Sequence, residues 1–205
     1  MNIMKVFKAF IAVAIGAATL ISCKPMSQQK TSHNEAFANI MTRKSVRTYA
    51  NKPIEKEKVD TLLRAAMAAP TAVNKQPWAF VVIDDAAILD TLAAHLPYAK
   101  MTGEAPLAIV VCGDLTKTIR GNDDPYWALD CSAATENLLL AAESMGLGAV
   151  WTAVYPEEER MEAVSHILGL PEYILPFNVI PIGYPAYQEK PKDKFKAENI
   201  HYNKW

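Results

Sequence analysis

Arg43-Lys44-Ser45-Val46-Arg47 and, one helical pattern later, Ala69-Pro70-Thr71-Ala72-Val73-Asn74-Lys75-Gln76-Pro77-Trp78 are the two stretches on which the reading of this chain turns. The first sets three cations and a hydroxyl within five residues, donors suited to an anionic phosphate and a polar ring edge. The second sets Pro, Thr and Asn just ahead of an apolar run, residue types that hold a backbone rigidly where it meets a flat ligand. Taken singly, the first reads more readily as a solvated basic turn and the second as an ordinary helix-to-strand connection. Their order and spacing together are more specific than either one.

The surrounding pattern alternates helices with apolar strands. Asn34 is placed to cap a helix that puts Phe37, Ile40 and Met41 on one face. Residues 55–68 form a helix with Val59, Leu62, Leu63, Ala66 and Met67 on one stripe, and Pro70 stops it. Residues 78–83 read as a buried strand, 86–96 as a helix and 107–112 as the next strand, followed by a polar connection over 116–124. Asp124-Pro125 opens a helix that runs to Met145 and is apolar nearly all round. A helix of that kind is buried on every side, so it is either central or covered by a second subunit. A strand over 149–154, a helix over 157–168 closed by Gly169 and a strand over 177–182 complete the pattern. Four apolar strands among helices give an α+β fold, a layered sheet covered by helices. Residues 186–205 carry no core pattern beyond Ile200, Tyr202 and Trp205, and are expected to wrap across a neighbour.

The chain has 205 residues, enough for one domain with a sizeable core, and a formal net charge of −1. No basic field argues for nucleic acid, so the local Lys and Arg clusters are set to hold one small anion. Lys5 and Lys8 precede an uncharged run over 9–21, too short to span a membrane comfortably and matching a signal-peptide core. The run ends in Leu20-Ile21-Ser22-Cys23, which resembles the lipobox of bacterial lipoproteins, where cleavage precedes a cysteine that is then lipidated. The expected organisation is a signal segment over 1–22, a flexible tether over 23–33 beginning at lipidated Cys23, and a folded domain over 34–205. That places the domain on the periplasmic or envelope side of a membrane, touching it only through lipid. Cys112 and Cys131 lie in apolar contexts and read as buried free thiols. His33, His95, His166 and His201 are scattered, so no metal site is expected.

Arg43, Ser45 and Arg47, followed by Pro70, Thr71, Asn74, Gln76, Pro77 and Trp78, resemble the opening motifs of the nitroreductase family of flavin mononucleotide (FMN) oxidoreductases. The resemblance continues through the helix at 130–147, through Val150-Trp151-Thr152, and to the lysines near Lys192. It implies a layered fold with a mainly antiparallel sheet, in an obligate homodimer whose tail crosses onto the partner and whose FMN sites lie at the interface. Carried over residue by residue, it sets Arg43 and Ser45 on phosphate and ribityl, with Lys44 between them contributing backbone contacts. Arg47 would stand near N1 and the C2 carbonyl as the residue that favours the reduced flavin. Pro70, Thr71, Ala72 and Asn74 would reach the ring from the other subunit. Val150, Trp151 and Thr152 would line the opposite ring face with a backbone N–H towards N5, while Lys192 and Lys194 close on the phosphate. Many relatives have arginine at these last two positions, so single hydrogen bonds replace forks in this chain.

The implied reaction is ping-pong hydride transfer from NAD(P)H through flavin N5 to an electron-poor acceptor of nitroaromatic or quinone type. The sequence has no glycine-rich dinucleotide loop, in keeping with transient docking of the nicotinamide. No protein general acid is apparent. Tyr98, Lys100 and Trp127 either border a substrate pocket or pack, and are given no role. Two other readings stay open: a flavin-binding or electron-carrying lipoprotein without turnover, and a specialised reductase or dehalogenase with a non-nicotinamide donor. Export favours the latter, because NAD(P)H is cytoplasmic.

Overall fold

Residues 32–121 and 124–205 are described by the structure, a computed structural model. The signal segment, Cys23 and the tether as far as Thr31 lie outside the described residues. In chain order the elements are α1 (Ser32–Thr42), α2 (Lys56–Met67), β1 (Trp78–Ile83), α3 (Ala86–His95), β2 (Leu107–Asp114), α4 (Tyr126–Ser144), β3 (Gly148–Ala149), β4 (Thr152–Ala153), α5 (Glu158–Leu168) and β5 (Ile174–Gly183). A sheet of order β1-β2-β5-β3, with β4 also on β5, is antiparallel throughout. It is the α+β layered arrangement expected.

Period-two alternation along β2 divides the core. Leu107, Ile109 and Val111 face the layer of α2 and α4, where Leu62, Ala66, Ala134, Leu138 and Ala142 are buried. Ala108, Val110 and Cys112 face α3 and α5, against Leu89, Leu92 and Val164. With a helical layer on each face, all eight residues of β2 are buried, which is why its sequence is continuously apolar from Leu107 to Cys112.

Four sequence expectations need correcting. The helix predicted from Asn34 begins at Ser32, so Asn34 lies inside α1. Strand β2 runs on through Gly113 and Asp114, because both pair with β5. The helix opened by Asp124 starts at Tyr126, whose N–H donates to Asp124 Oδ1 at 2.9 Å, with Pro125 just before the first turn. The helix packs centrally, and its Leu129 is 63% exposed in the single chain, so the expectation that a second subunit covers part of it stays open.

The strand expected over 149–154 is two short strands separated by Val150 and Trp151. The register explains the break. Ala149 pairs with Ile182 and Thr152 with Val179, so Val150 falls opposite Pro181. The Ala149 carbonyl accepts from the Val46 N–H and therefore points away from β5, and alternation turns Val150 towards β5. Pro181 has no N–H to offer it, and the ladder lapses there.

Candidate functional site: a cationic cavity beside a broken strand

The chain leaves α1 and lays residues 43–47 along the outer side of β3. Ser45 bridges Ala149 in parallel, and the Val46 N–H donates to the Ala149 carbonyl at 3.0 Å. Gly148 makes this approach possible, since a Cβ there would stand 2.6 Å from Val46 Cβ. The Tyr49 hydroxyl donates to the Val46 carbonyl at 2.8 Å and lies 3.1 Å from the Pro181 carbonyl. Burial of this phenol holds its pKa well above the ordinary tyrosine range.

Arg43, Lys44, Ser45 and Arg47 line a cavity of about 260 Å³ whose other wall is the chain near Lys192 and Lys194. The structure thus brings the first motif and the late lysines together. Two further lining residues, Glu189 and Lys190, escaped the sequence reading. The signal was available: Lys190, Lys192 and Lys194 recur at every second position, so an extended chain presents all three on one side. Six cations against one carboxylate give the cavity a positive field. Glu136 and Glu143 on α4 were also missed. Arg43 Nε meets Glu136 Oε1 at 3.2 Å, and Lys44 Nζ meets Glu143 Oε1 at 3.1 Å. The glutamates stand seven residues apart, two turns on one helix face, a spacing readable in sequence.

The second motif is not part of that lining. Its loop is strained: Val73, Asn74 and Gln76 have φ of 43°, 56° and 51°, in the left-handed region that costs most for a β-branched residue such as Val73. The Ala72 N–H donates to Asp130 Oδ1 at 3.0 Å, and the Gln76 N–H donates to Thr71 Oγ1 at 3.1 Å. Gln76 Nε2 donates to Asn74 Oδ1 at 3.1 Å. Burial raises the pKa of Asp130, against the pull of the Ala72 N–H and with the charge of Asp124 adding to it. Pro70, Val73 and Asn74 are exposed, whereas Thr71 and Ala72 are half-buried.

Val150 and Thr152 are buried, and the Thr152 hydroxyl is committed to the Val179 carbonyl at 2.6 Å. Only their backbone is on offer. Trp151 is half-buried and packs edge-on to Phe177, centroids 5.4 Å apart. Trp127 is buried in the same aromatic cluster, 4.8 Å from Tyr155, so it packs and does not line the cavity. Tyr98 lies exposed with the Arg160 guanidinium 5.3 Å from its ring centroid. Cys112 and Cys131 are free and buried, and burial pushes the Cys112 thiol up to about 12. Among the described residues there is no His, Cys, Asp or Glu cluster able to hold a metal, and no helix long and apolar enough to cross a membrane.

A layered antiparallel sheet with a cationic cavity at its edge marks the chain as an α+β protein equipped to hold a small anion. The Nitroreductase family profile matches residues 40–97 and 93–184, and the chain belongs to that family. A solved Bacteroides thetaiotaomicron protein, provisionally named an NADH dehydrogenase/NAD(P)H nitroreductase, superposes with a TM-score of 0.80 at 58% identity, covering 84% of this chain and 99% of that one. A Methanothermobacter thermautotrophicus protein with the same provisional name is 42% identical over 86% of this chain and 91% of its own length. An FMN-dependent nitroreductase of Clostridium difficile is 28% identical with a TM-score of 0.76, covering 82% of this chain and 99% of that one.

Proposed function

We propose that this protein is an FMN-dependent oxidoreductase that takes reducing equivalents from NAD(P)H and passes them to a small electron-poor acceptor, nitroaromatic or quinone in type. The observation that carries this reading is the convergence of Arg43, Ser45 and Arg47 with Lys192 and Lys194 on one cavity. The donor set fits the group. A phosphomonoester carries nearly two negative charges at neutral pH, and Arg43, Lys192 and Lys194 with the Ser45 hydroxyl would meet it with charge-assisted hydrogen bonds.

An FMN held there would supply the redox chemistry, with N5 as hydride acceptor from NAD(P)H and the reduced ring as electron source for the acceptor in a ping-pong cycle. The protein's part is to orient and to polarise. Arg43, Ser45, Lys192 and Lys194 hold the phosphate and ribityl end, with Lys44 holding backbone between the first two. Arg47, exposed at the cavity, places a fixed cation at the pyrimidine edge, where negative charge develops on reduction. Alternation along the edge strand turns the Trp151 peptide to the open side that Ser45 and Val46 occupy one pair earlier, which supports a backbone donor there. Val150 and Thr152 then contribute the wall on which that peptide is mounted.

The working form in this reading is a homodimer. Phe37, Ile40 and Met41 on α1, with Leu129 on α4, are exposed apolar groups on one protomer, and in the tail Phe195 and Trp205 are 74% and 100% exposed. Pro70, Thr71, Ala72 and Asn74 serve the site across that interface. The domain is carried as a lipoprotein through Cys23, on the envelope side of a membrane. Export favours a second reading, in which the same site draws on a donor other than nicotinamide.

Anaerobic NADH or NADPH added to purified residues 24–205 tests the main reading: yellow protein that bleaches promptly supports it. Yellow protein that stays yellow moves the search to another donor, and colourless protein that FMN cannot reconstitute ends it. Cys23→Ser is expected to release the protein from membranes on fractionation; retention in the pellet would reject the lipid anchor.

A further inference from the structure

Lys44 stands among the cavity cations, yet its ammonium is already engaged. Nζ donates to both carboxylate oxygens of Glu143, at 3.1 and 3.3 Å. The two side chains are 16% and 15% exposed, so their mutual neutralisation occurs largely away from water. Arg43 is placed differently. Its Nε alone meets Glu136, whose side chain is 49% exposed, and the rest of the guanidinium fork stays available for an anion. One of these two cations keeps donors for a phosphate; the other is closed into a pair.

The position of the pair gives it a purpose. Glu143 lies in the last turn of α4, where its carbonyl accepts from the Gly146 N–H at 3.0 Å. The chain then turns directly into β3, where Ala149 holds the Val46 N–H. Residues 43–47 are therefore tied at two points along the α4–β3 connection, by side chain from Lys44 to the last turn of α4 and by backbone from Val46 to β3. Ser45 lies between the ties, with Arg43 and Arg47 flanking them.

We infer that Lys44 and Glu143 form a strut that positions residues 43–47 for the flavin, making both of them positioning residues and not phosphate ligands. This rests on the protein's being a flavoprotein. The alternative role predicts the opposite sign. If Lys44 bound phosphate directly, neutralising Glu143 would free its charge and tighten FMN; in a strut, neutralising Glu143 loosens the segment and weakens FMN. A phosphate ligand also matters only to FMN, whereas a misplaced segment weakens riboflavin, which has no phosphate, alongside it.

The test is flavin affinity by fluorescence quenching of the purified protein stripped of bound flavin. Glu143→Gln, Lys44→Glu and Glu143→Lys are each expected to raise the Kd for FMN about tenfold or more, with a parallel rise for riboflavin. The exchange of the pair, Lys44→Glu with Glu143→Lys, is expected to return both affinities to within about threefold of the original, because the strut is rebuilt with reversed polarity. Tighter or unchanged FMN binding in Glu143→Gln overturns the strut, as does an exchange that stays as weak as Lys44→Glu alone. Should the unaltered protein bind neither FMN nor riboflavin, it is the flavin reading that falls.

Discussion

Asp130 shows how one side chain holds a strained loop. Its carboxylate accepts the Ala72 N–H at 3.0 Å, tying the loop that carries Thr71 and Asn74 to α4. Burial raises its pKa in the folded protein. The charged form is therefore the disfavoured one, and the stability this group contributes is present below the ordinary carboxylate pKa of about 4 and lost as pH rises through the folded value. Asp130→Asn keeps an oxygen for Ala72 while removing the charge, so its melting temperature is expected to equal or exceed that of the parent at pH 7. The gap should narrow as pH falls towards about 4. A pH-independent gap in paired thermal melts would reject burial of the charge as its cause. Asp130→Ala leaves the Ala72 N–H without its partner and is expected to cost roughly 1–3 kcal/mol.

At the scale of elements, the site exists because an edge strand is broken and another segment is docked on it. Pro181 breaks the ladder at Val150, and Gly148 clears room for Val46. Neither signal was legible as such. A proline in one strand and a glycine in another acquire meaning only when the register sets them against Val150 and Val46. The helices and the strands β1 and β2 were legible, because their apolar residues repeat at the period of the element and ends such as those of α2 and α5 carry Pro70 and Gly169 as stops. Gly148→Ala tests the docking. A methyl at that position meets Val46 within van der Waals distance, so the variant is expected to lose about 1–3 kcal/mol in denaturant melts. Flavin affinity should fall with it, since Ser45 and Arg47 move with Val46. Unchanged stability and affinity together would show that the close approach is dispensable.

On the scale of the whole molecule, the single chain leaves apolar surface uncovered. Residues 186–205 start well anchored, with the Ala186 N–H on the Thr48 carbonyl at 3.1 Å and the Tyr187 hydroxyl 3.2 Å from Thr48 Oγ1. Beyond that point Phe195, Tyr202 and Trp205 are largely exposed. Apolar aromatic groups left in water forfeit roughly 1.5–3 kcal/mol each relative to burial, which the second protomer of the proposed dimer would recover. Replacing these three by Ser leaves Lys192 and Lys194 in place and is expected to shift the protein from dimer to monomer on dilution in sedimentation velocity. A dimer of undiminished stability in that variant would remove the tail from the interface.

The sequence by itself determined which segments fold into which elements, because the periods 3.6 and 2 and the turn residues are local properties of the chain. It also named most of one cavity wall, since Arg43, Lys44, Ser45 and Arg47 lie within five consecutive residues. Only the tertiary structure decided what those residues can do. It turned the Lys44 ammonium onto Glu143, 99 residues away, committed the Thr152 hydroxyl to Val179, and set the lysines of the tail opposite the first motif. These are long-range choices between an open donor and a satisfied one, and a buried polar group takes whichever partner the packing brings within about 3 Å.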